Sequence, residues 1–374
     1  MRFLHTADWQ LGMTRHFLDA DAQPRYTGAR IDAIVRIGEV AAEEDCEFVL
    51  VCGDVFESNA ISPRTITRSL EAMRSIPIPV YLLPGNHDPL DASSVYRSAA
   101  FLNSCPDHVT VLESPGAHPV RPGFELVAAP WFSKRPLQDL VAAAIEGLEP
   151  DGTVRIVAGH GVTENLNPDP DNPAVIGLVP VEAGFADGSI HFLALGDRHS
   201  PTSVDRTGRI WYSGTQEVTD YDEIDPGQVL VVDIDAGQQP VVTRHQVGLW
   251  RFCDLSEHLD GSTDVERLAA RLDALPAKDR TVVQLRLQGT LSLAEKAQLD
   301  AVLERFSELF ASLRLWKRHT NLVVRVEGEE LSDLGVSGFL ADAATELSLT
   351  AAGPEGDTAQ NALSLLYRLA KGRS

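Results

Sequence analysis

Five short clusters in this chain combine the side-chain types that bind metal ions and transfer protons. They are Asp8-Trp9-Gln10, Gly53-Asp54-Val55-Phe56, Gly85-Asn86-His87-Asp88, Gly159-His160-Gly161 and Gly196-Asp197-Arg198-His199. Carboxylate, amide and imidazole groups are ligands of divalent cations, and a histidine beside them can donate or accept a proton. One such cluster alone is more often a turn or a buried structural histidine. Five in one chain predict a metal site that contains acid–base groups.

Each cluster follows a short apolar run that is typical of a β-strand. These runs are Arg2–Leu4, Phe48–Cys52, Val80–Leu83, Arg155–Ala158 and His191–Leu195, with a further run at Leu126–Ala128. In α/β proteins the carboxyl ends of the strands carry the functional site. The glycines next to the clusters allow the chain to turn sharply at these ends. We therefore expect the five clusters to lie close together.

The segments between the strands predict the fold class. Amphipathic stretches at Ala29–Glu44 and Pro63–Ser75 separate the first strands, which indicates βαβ units. Two later strands, Ile210–Ser213 and Gln228–Ile234, follow each other without a helix between them. This pattern predicts an α/β fold in which a two-sheet β-sandwich is flanked by helices, with a turn at 235–240 near the end of the domain.

A smaller unit is expected from about Leu249 onward. Capping boxes at Thr263 and Ser292 predict two helices. Alternating apolar and polar residues at Thr281–Leu287 and Asn321–Val326 predict half-buried strands. The expected organisation is a first domain over 1–240, a small α+β cap domain over 249–328, and C-terminal helices over 330–374.

The composition limits the classes of function. The net charge is −22, whereas a protein that binds nucleic acid alone usually carries a basic face, because neutralising phosphates supplies most non-specific affinity. A nucleic-acid function would therefore need a local basic patch or a basic partner. Four scattered cysteines without a C-x-x-C pair argue against a disulfide scaffold or zinc finger and favour a reducing cytoplasm. Neither a secretory signal nor an apolar run of about 18 residues is recognisable in the sequence.

The order of the clusters resembles the pattern D-x-H, GD, GNHD, H, GHxH of the calcineurin-like metallophosphoesterases. Three segments, His5–Gly12, Gly53–Phe56 and Ala194–His199, are similar to those of bacterial SbcD-type exonucleases of DNA double-strand-break repair. Tyr212–Thr215, followed by Asp222-Glu223, resembles the segment after the last metal ligand in that family. The resemblance covers about residues 1–235, and it implies the four-layer metallophosphoesterase fold.

The resemblance also implies the roles of individual residues. It assigns metal ligands to Asp8, Gln10, Asp54, Asn86, His160, Asp197 and His199. In this scheme Asp54 bridges two metal ions about 3.5–4 Å apart. Asp8, Gln10 and His199 complete one metal site, and Asn86, His160 and Asp197 complete the other. His87 would protonate the leaving oxygen or hold the phosphate, and Asp88 would orient His87.

Two ligand positions depart from the family pattern. Gln10 stands where the family has histidine, and Asp197 stands where it has the first histidine of GHxH. Both side chains can still offer an oxygen to a metal, and the alternative is an inactive scaffold. Oxygen donors suit Mn²⁺ and Mg²⁺, whereas imidazole-rich sites favour Zn²⁺. We therefore expect two divalent ions, with Mn²⁺ preferred, Mg²⁺ partly effective and Zn²⁺ ineffective.

The resemblance implies a metal-dependent DNA nuclease that hydrolyses phosphodiester bonds in repair and recombination, as an exonuclease or endonuclease. It also implies a partner, a coiled-coil ATPase of the SbcC type, which could supply the missing positive charge. A homodimer is compatible with the sequence. Two alternatives stay open. One is a small-molecule phosphoesterase, such as a nucleotidase or cyclic-nucleotide phosphodiesterase, and the other is a non-catalytic scaffold.

Two features of the second half could bind these partners. A basic patch around an aromatic residue, formed by Arg314, Trp316, Lys317 and Arg318, would suit DNA phosphates and a stacked base, although a solvated helix end has the same composition. A helix between Asp357 and Gly372 places four apolar residues on one face, namely Ala362, Leu365, Leu366 and Leu369. This face would dock on the ATPase or pack on its own domain.

Overall fold

The computed structural model describes residues 1–167, 169, 171–234, 239–325, 338–351, 356, 358–359, 362–363 and 365–366. The chain divides into two compact units. Unit 1 contains Met1–His16 and Gln23–Trp250, and unit 2 contains Phe17–Ala22 and Arg251–Ser374. The expected domain end at residue 240 lies before the last strand of unit 1, because residues 241–246 pair with the preceding strand of the same sheet. Of the turn expected at 235–240, residues 235–238 lie outside the described residues.

Unit 1 is built on two sheets. Its strands in the described residues are β1 (Arg2–Thr6), β2 (Val49–Cys52), β3 (Val80–Leu83), β4 (Val109–Val111), β5 (Gly116–Arg121), β6 (Phe124–Ala128), β7 (Val154–His160), β8 (Phe192–Gly196), β9 (Thr202–Ser203), β10 (Ile210–Tyr212), β11 (Gln228–Asp233) and β12 (Val241–Gln246). The first sheet has the order β12-β11-β1-β2-β3-β4, and the second has the order β5-β6-β7-β8-β10-β9. Every apolar run that the sequence predicts as a strand of this region is a strand, with slightly different ends.

Helices cover the sheets. Before residue 250 the described helices are α1 (Ala22–Glu43), α2 (Pro63–Arg74), α3 (Ala99–Leu102), α4 (Leu140–Ile145) and α5 (Leu178–Asp187). Helix α2 begins after Ser62, whose side chain accepts a hydrogen bond from the Thr65 N–H, and Pro63 occupies its first turn. Its buried Ile66 and Leu70 recur at helical spacing. Within the described part of the chain, no helix has both the length and the apolar character needed to cross a membrane.

Three hydrophobic clusters give unit 1 four layers. The middle cluster joins the facing sides of the two sheets, with Phe3 and Leu50 from the first sheet and Ile156 and Phe192 from the second. The outer face of the first sheet packs against α1 and α2, and the outer face of the second packs against α4 and α5. Successive residues of a strand point to opposite faces, so each central strand contributes to two clusters. The layers are helix, sheet, sheet, helix, which confirms the predicted sandwich.

The direction of the strands decides where their ends lie. Strands β1, β2, β3 and β4 run parallel to one another. Strands β6, β7, β8 and β10 also run parallel within the second sheet. The carboxyl ends of the central strands in each sheet therefore share one edge, as the βαβ pattern predicts.

Unit 2 has a central strand with three partners. Its described elements are β13 (Arg251–Leu259), β14 (Thr281–Ser292), β15 (Ser312–Leu315), β16 (Asn321–Arg325), α6 (Ser262–Ala274), α7 (Leu293–Ser307) and α8 (Phe339–Thr350). Strand β14 pairs in parallel with β13, β15 and β16. Leu268 of α6 and Phe306 of α7 pack in one cluster with Leu285 and Leu287 of β14.

The two predicted capping boxes have different outcomes. The box at Ser292 is confirmed, because its side chain accepts from the Glu295 N–H while the Glu295 carboxylate accepts from the Ser292 N–H. The box at Thr263 is wrong, because α6 begins at Ser262 after Gly261 without a side-chain cap. The Ser262 N–H instead donates to Glu295 at 3.2 Å. One carboxylate of α7 thus serves the amino ends of both helices.

The described C-terminal residues belong to a second, smaller core of unit 2. Leu363 is fully buried with Leu293 and Ala344. Leu366 packs partly against this cluster, whereas Leu365 is 52% exposed. The apolar face predicted between Asp357 and Gly372 is therefore divided between an inward and an outward side. Asp357, Leu369 and Gly372 lie outside the described residues, as do Gly353-Pro354 and the segment 326–337.

Candidate metal centre

The five polar clusters follow five different strands. Asp8 and Gln10 follow β1, Asp54 follows β2, Asn86 follows β3, His160 ends β7, and Asp197 and His199 follow β8. The two sheets are joined at this edge by a hydrogen bond of 2.9 Å between His160 Nδ1 and the carbonyl oxygen of Cys52. The expected gathering of the clusters is thus present within unit 1.

One half of the gathering surrounds the imidazole of His160. Asp8, Asp54 and His160 each offer one ligand atom, and these three atoms lie within 4.8 Å of one another. His160 Nε2 is 2.9 Å from Asn86 Oδ1 and 3.4 Å from Asp54 Oδ1. Asp197 Oδ1 is farther away, at 3.9 Å from the same nitrogen. Oxygen and nitrogen donors converge here with the spacing that a divalent cation needs.

The other half brings together Gln10 and His199. Gln10 Nε2 lies 3.3 Å from His199 Nε2. Gln10 is buried, and its Oε1 has no hydrogen-bond partner among the described residues. Asp8 is also buried, and both of its carboxylate oxygens accept a hydrogen bond from the Asp197 N–H at 3.0 Å. A buried carbonyl oxygen without a donor is costly unless a ligand such as a metal ion satisfies it.

Both histidines are oriented by hydrogen bonds to their outer nitrogen. His160 Nδ1 faces the carbonyl oxygen of Cys52, so a neutral ring donates there and leaves Nε2 as an electron-pair donor. His199 Nδ1 lies 2.6 Å from Thr219 Oγ1 and 3.0 Å from Glu223 Oε1. Outer partners of this kind hold a ligand ring in place and raise its basicity. Sequence reasoning missed the roles of Thr219 and Glu223, although Asp222-Glu223 lies in the segment that resembles the family.

The backbone of the site is strained. Four of the assigned ligands have φ angles in the left-handed region, namely Asp8 (53°), Gln10 (41°), Asp54 (52°) and Asp197 (98°). Residues other than glycine seldom adopt such angles, and strain of this type concentrates at functional sites. The strain turns these side chains toward one another at the strand ends.

Two glycines are required by close packing around the ligands. A Cβ atom at Gly53 would lie 2.1 Å from His160 Nδ1. A Cβ atom at Gly85 would lie 2.3 Å from Asp54 Oδ1. Any larger residue at either position would displace a ligand, so these glycines keep the cluster compact.

The buried charges of the centre perturb one another. Burial raises the pKa of Asp8 to about 7. Burial opposes ionisation of Asp54 as well, but attraction and hydrogen bonds from His160 and His87 outweigh it and lower the pKa of Asp54. Burial favours the neutral form of His160, but Asp54 raises the pKa of His160 well above its usual value. The cluster holds excess negative charge in a buried place, which a divalent cation would neutralise.

His87 lies beside Asp54 and is partly exposed. Its N–H donates to Asp54 Oδ1 at 2.9 Å, and its ring Nδ1 lies 2.9 Å from the carbonyl oxygen of Glu57. Its Nε2 is 3.9 Å from Asp54 Oδ2, and 38% of the side chain is exposed. The ring is therefore close to the cluster and accessible to a substrate, as the predicted acid–base role requires.

The predicted contact between Asp88 and His87 is wrong. The Asp88 carboxylate accepts hydrogen bonds from the N–H of Gly85, the N–H of Phe56 and the hydroxyl of Tyr96. It is fully buried, and burial raises its pKa to about 6. Asp88 therefore stabilises the loop that carries Asn86 and His87, while the Glu57 carbonyl orients the His87 ring. Adjacency in sequence suggested a direct contact that the tight turn does not allow.

The donors present suit divalent metal ions. The assigned ligands provide two imidazoles, three carboxylates and two amides. The unsatisfied Gln10 Oε1 and the two histidines with engaged Nδ1 atoms leave donor atoms for a cation. Such a mixture with more oxygen than nitrogen fits hard or borderline ions.

A cavity of 490 Å³ adjoins the centre on the side of Asn86 and Asp197. It lies between the loop after β6, which includes Lys134 and Arg135, and the loop after β7, which includes Asp169 and Asp171. A cavity of this size can enclose a small ligand or one nucleotide. Unit 1 therefore provides a place for a substrate beside the candidate ligands.

The predicted basic patch lies in unit 2 and is partly engaged. Arg314 Nη2 donates to Gln284 Oε1 at 2.7 Å, and its guanidinium lies 4.5 Å from the centre of the Phe17 ring. The ring of Trp316 contacts His319, with centroids 4.0 Å apart, and Arg286 lies 5.2 Å from the Trp316 ring. Lys317 and Arg318 are exposed. Arg314 is thus committed inside unit 2, and the exposed part of the patch is Lys317 and Arg318.

Known proteins with similar sequences were compared with this chain. Residues 1–232 match the family described as calcineurin-like phosphoesterase. The SbcD subunit of the nuclease SbcCD from Rhodobacter capsulatus is 26% identical, over 86% of this chain and 88% of that protein. The corresponding SbcCD nuclease subunit of Bacillus subtilis is 25% identical, over 64% of this chain and 68% of that protein. A DNA double-strand break repair protein of Archaeoglobus fulgidus is 36% identical over a shorter stretch, 24% of this chain and 19% of that protein.

Proposed function

The chain belongs to the calcineurin-like phosphoesterase family, and from this premise we propose that it is a metal-dependent DNA nuclease of the SbcD type. It would hydrolyse phosphodiester bonds as the nuclease subunit of a DNA repair complex. The observation that carries the proposal is the convergence of Asp8, Asp54 and His160 at the strand ends. The names of two relatives that this chain covers over at least 68% of their length also support it.

The proposed ligand set divides between two ions. Asp54 would contact both, Asp8, Gln10 and His199 would hold one, and Asn86, His160 and Asp197 would hold the other. Divalent ions in this centre would supply the positive charge that stabilises a reacting phosphate and would increase the acidity of water. The excess of oxygen donors favours Mn²⁺, with Mg²⁺ as the weaker alternative.

The residues around the ions would complete the chemistry. His87 is placed to donate a proton to the leaving oxygen or a hydrogen bond to the phosphate, because its ring is exposed beside Asp54. Glu57 would keep that ring in place through its carbonyl oxygen. Asp88 would hold the loop of Asn86 and His87 in the conformation that both roles need.

Partners are part of the proposal. A coiled-coil ATPase of the SbcC type would bring DNA to a protein whose net charge is −22, and unit 2 would contribute the exposed Lys317 and Arg318. Leu365 is the exposed candidate for docking on that ATPase. Leu365→Glu should then abolish the complex without lowering the melting temperature, whereas Leu363→Glu should lower it. The four cysteines are free, which suits the cytoplasm, and a homodimer is compatible with these roles.

A small-molecule phosphoesterase is the second candidate. The 490 Å³ cavity beside Asn86 and Asp197 favours it, because the volume suits a single nucleotide. This candidate requires a phosphomonoester or a cyclic nucleotide to be a better substrate than DNA. It requires no contribution from unit 2.

One experiment separates these candidates. The purified protein is assayed with Mn²⁺ on labelled linear and hairpin DNA, and in parallel on p-nitrophenyl phosphate and cyclic nucleotides, with Asp54→Ala as the inactive control. Cleavage of DNA that Asp54→Ala abolishes supports the nuclease. Faster hydrolysis of the small substrates supports the second candidate. No hydrolysis of any substrate, alone or with an ATPase partner, contradicts both and favours a scaffold.

A further inference from the structure

The cavity beside the metal centre has two walls of opposite charge. Lys134 and Arg135, the cationic wall, lie on the loop after β6, and Asp169 and Asp171, the acidic wall, lie on the loop after β7. Both cations are exposed. Within the described ranges, neither forms an ion pair or a side-chain hydrogen bond. In a protein with a net charge of −22, two such cations beside a candidate catalytic centre are available to an anionic ligand.

The position of this cavity relates the walls to the reaction. Asn86 and Asp197, two of the proposed metal ligands, line the same cavity as Lys134 and Arg135. A phosphate held at the metal centre would therefore have its neighbouring nucleotide inside the cavity. The volume of 490 Å³ lies within the range of about 300–1,000 Å³ that encloses small ligands. It offers room for one nucleotide and none for a duplex.

We propose that this cavity accepts a single nucleic-acid strand and distinguishes it from a duplex. The cationic wall binds the phosphate that neighbours the one being cleaved. The acidic wall repels the phosphates of a second strand that would approach from the other side. This proposal rests on the proposed nuclease function, and it adds to it the residues that choose the form of the substrate.

The physical basis is the charge of nucleic acid. A duplex carries about one negative charge per 1.7 Å of its axis, so a pair of carboxylates facing its second backbone costs binding energy. A single strand can turn its one backbone toward Lys134 and Arg135 and its base toward Asp169 and Asp171. Bases carry amino groups that donate hydrogen bonds to carboxylates. The opposed walls thus suit a strand with one charged side and one neutral side.

The cationic wall is tested with neutral linkages. Single-stranded oligonucleotides carry one uncharged methylphosphonate on either side of the cleaved bond, and kcat/KM is measured with Mn²⁺. In the native protein one of these replacements should lower kcat/KM about tenfold, since a charged hydrogen bond contributes about 1.5–3 kcal/mol. Lys134→Gln combined with Arg135→Gln should lower kcat/KM on the all-phosphate strand similarly and remove the sensitivity to that linkage.

The matched control removes two exposed arginines of α2. Arg64→Gln combined with Arg68→Gln changes the net charge equally and should leave both the rate and the sensitivity to the neutral linkage as in the native protein. Additive losses, with the Lys134 and Arg135 variant as sensitive to the linkage as the native protein, would overturn the proposal. The same cycle is measured as binding, by fluorescence anisotropy without divalent ions. If no DNA is cleaved but the cycle appears in binding, the nuclease function fails and the strand site stands.

The acidic wall has its own test. Asp169→Asn combined with Asp171→Asn should raise the ratio of duplex to single-strand binding and cleavage about tenfold, because the repulsion of a second backbone is removed. The control is Asp107→Asn with Glu113→Gln, two exposed carboxylates elsewhere in unit 1, which should leave the ratio unchanged. An unchanged ratio in the Asp169 and Asp171 variant, or an equal rise in the control, would overturn the selection against a duplex.

Discussion

Asp8 and Gln10 are buried in unit 1, whereas Asp197, which belongs to the same candidate centre, leaves 35% of its side chain exposed. The enclosed half of the centre consists of Asp8, Gln10 and His199. The open half consists of Asn86, His160 and Asp197, and two of these residues line the cavity. The substrate would therefore reach the open half first, while the enclosed half has the greater support from surrounding protein.

The difference explains where the two departures from the family pattern occur. The enclosed half has a neutral amide, Gln10, in place of histidine, and the open half has a carboxylate, Asp197. An additional buried charge would be costly beside Asp8, whose pKa burial already raises to about 7. A carboxylate near solvent costs less. Each replacement thus suits the dielectric environment of its own half.

The largest effect is expected where the two halves meet. Asp54→Ala should remove the shared ligand, abolish binding of both ions and reduce cleavage by more than about 10⁴-fold, the upper limit for one acid–base group. Calorimetric titration with Mn²⁺ and a DNA cleavage assay measure both. Asp32→Ala, an exposed carboxylate of α1, is the control. Retention of one tightly bound ion in Asp54→Ala would show that the halves are independent.

The next effect concerns His87, which should act without being a ligand. His87→Asn should keep both ions and lower cleavage by about 10²–10⁴-fold, because proton donation to the leaving oxygen is lost. The stoichiometry of Mn²⁺ binding and kcat are measured on the same preparation. If the variant loses an ion together with its activity, His87 belongs to the ligand set.

A smaller effect should separate the enclosed half from the open half. Glu223→Gln weakens the hydrogen bond that orients His199, so affinity for the ion of the enclosed half should fall by about 10–100-fold. The second ion should bind as before, which a two-site titration detects. Equal weakening of both ions would contradict the division into halves.

The departures themselves should set the choice of metal. The native protein should work best with Mn²⁺, less well with Mg²⁺ and little with Zn²⁺. Gln10→His together with Asp197→His should raise affinity for Zn²⁺ relative to Mn²⁺ by about tenfold or more, since each adds an imidazole donor. The single variants assign the shift to one half. A native protein that binds Zn²⁺ tightly and works best with it would refute this account.

The smallest effect on the centre should come from Glu217, which supports the enclosed half without contacting the ligands. Its buried carboxylate accepts hydrogen bonds from the N–H groups of Leu249 and Trp250. Burial raises the pKa of Glu217 to about 7. The folded state therefore favours the protonated form, and stability should fall as pH rises from about 4.3, the ordinary value for Glu, to about 7.

Glu217→Gln should flatten this part of the profile by up to about 3 kcal/mol between pH 5 and pH 8. Urea unfolding of both proteins at several pH values, with metal removed, gives the difference, while Mn²⁺ affinity at pH 8 should change little. Parallel stability profiles for the two proteins would show that Glu217 does not titrate in this range.

Much of unit 1 could be predicted from the sequence, because its signals are local. A strand such as Val80–Leu83 is a short apolar run bounded by turn residues, and α2 carries a serine cap, a proline in its first turn and apolar residues at helical spacing. The order of strands and helices indicates a parallel sheet, and a parallel sheet brings its carboxyl ends together. The sequence therefore determined which strand ends form the centre and which residue types it contains.

Contacts between distant residues required the tertiary structure. Sequence adjacency suggested that Asp88 orients His87, but the tight turn directs Asp88 to Gly85, Phe56 and Tyr96. The capping signal at Thr263 lost to a carboxylate of another helix, Glu295. Similarly, strand β12 was missed because its residues are mostly exposed at the sheet edge and carry little apolar periodicity.

The sequence by itself determined the fold class, the five ligand-bearing strand ends and the family. Only the tertiary structure decided that Gln10 lies in an enclosed half and Asp197 in an open one, and that Lys134 and Asp169 line one cavity. The physical reason is that residue type and local periodicity are properties of neighbouring residues. Burial, orientation and opposed charge depend on segments far apart in the chain that only the folded packing brings together.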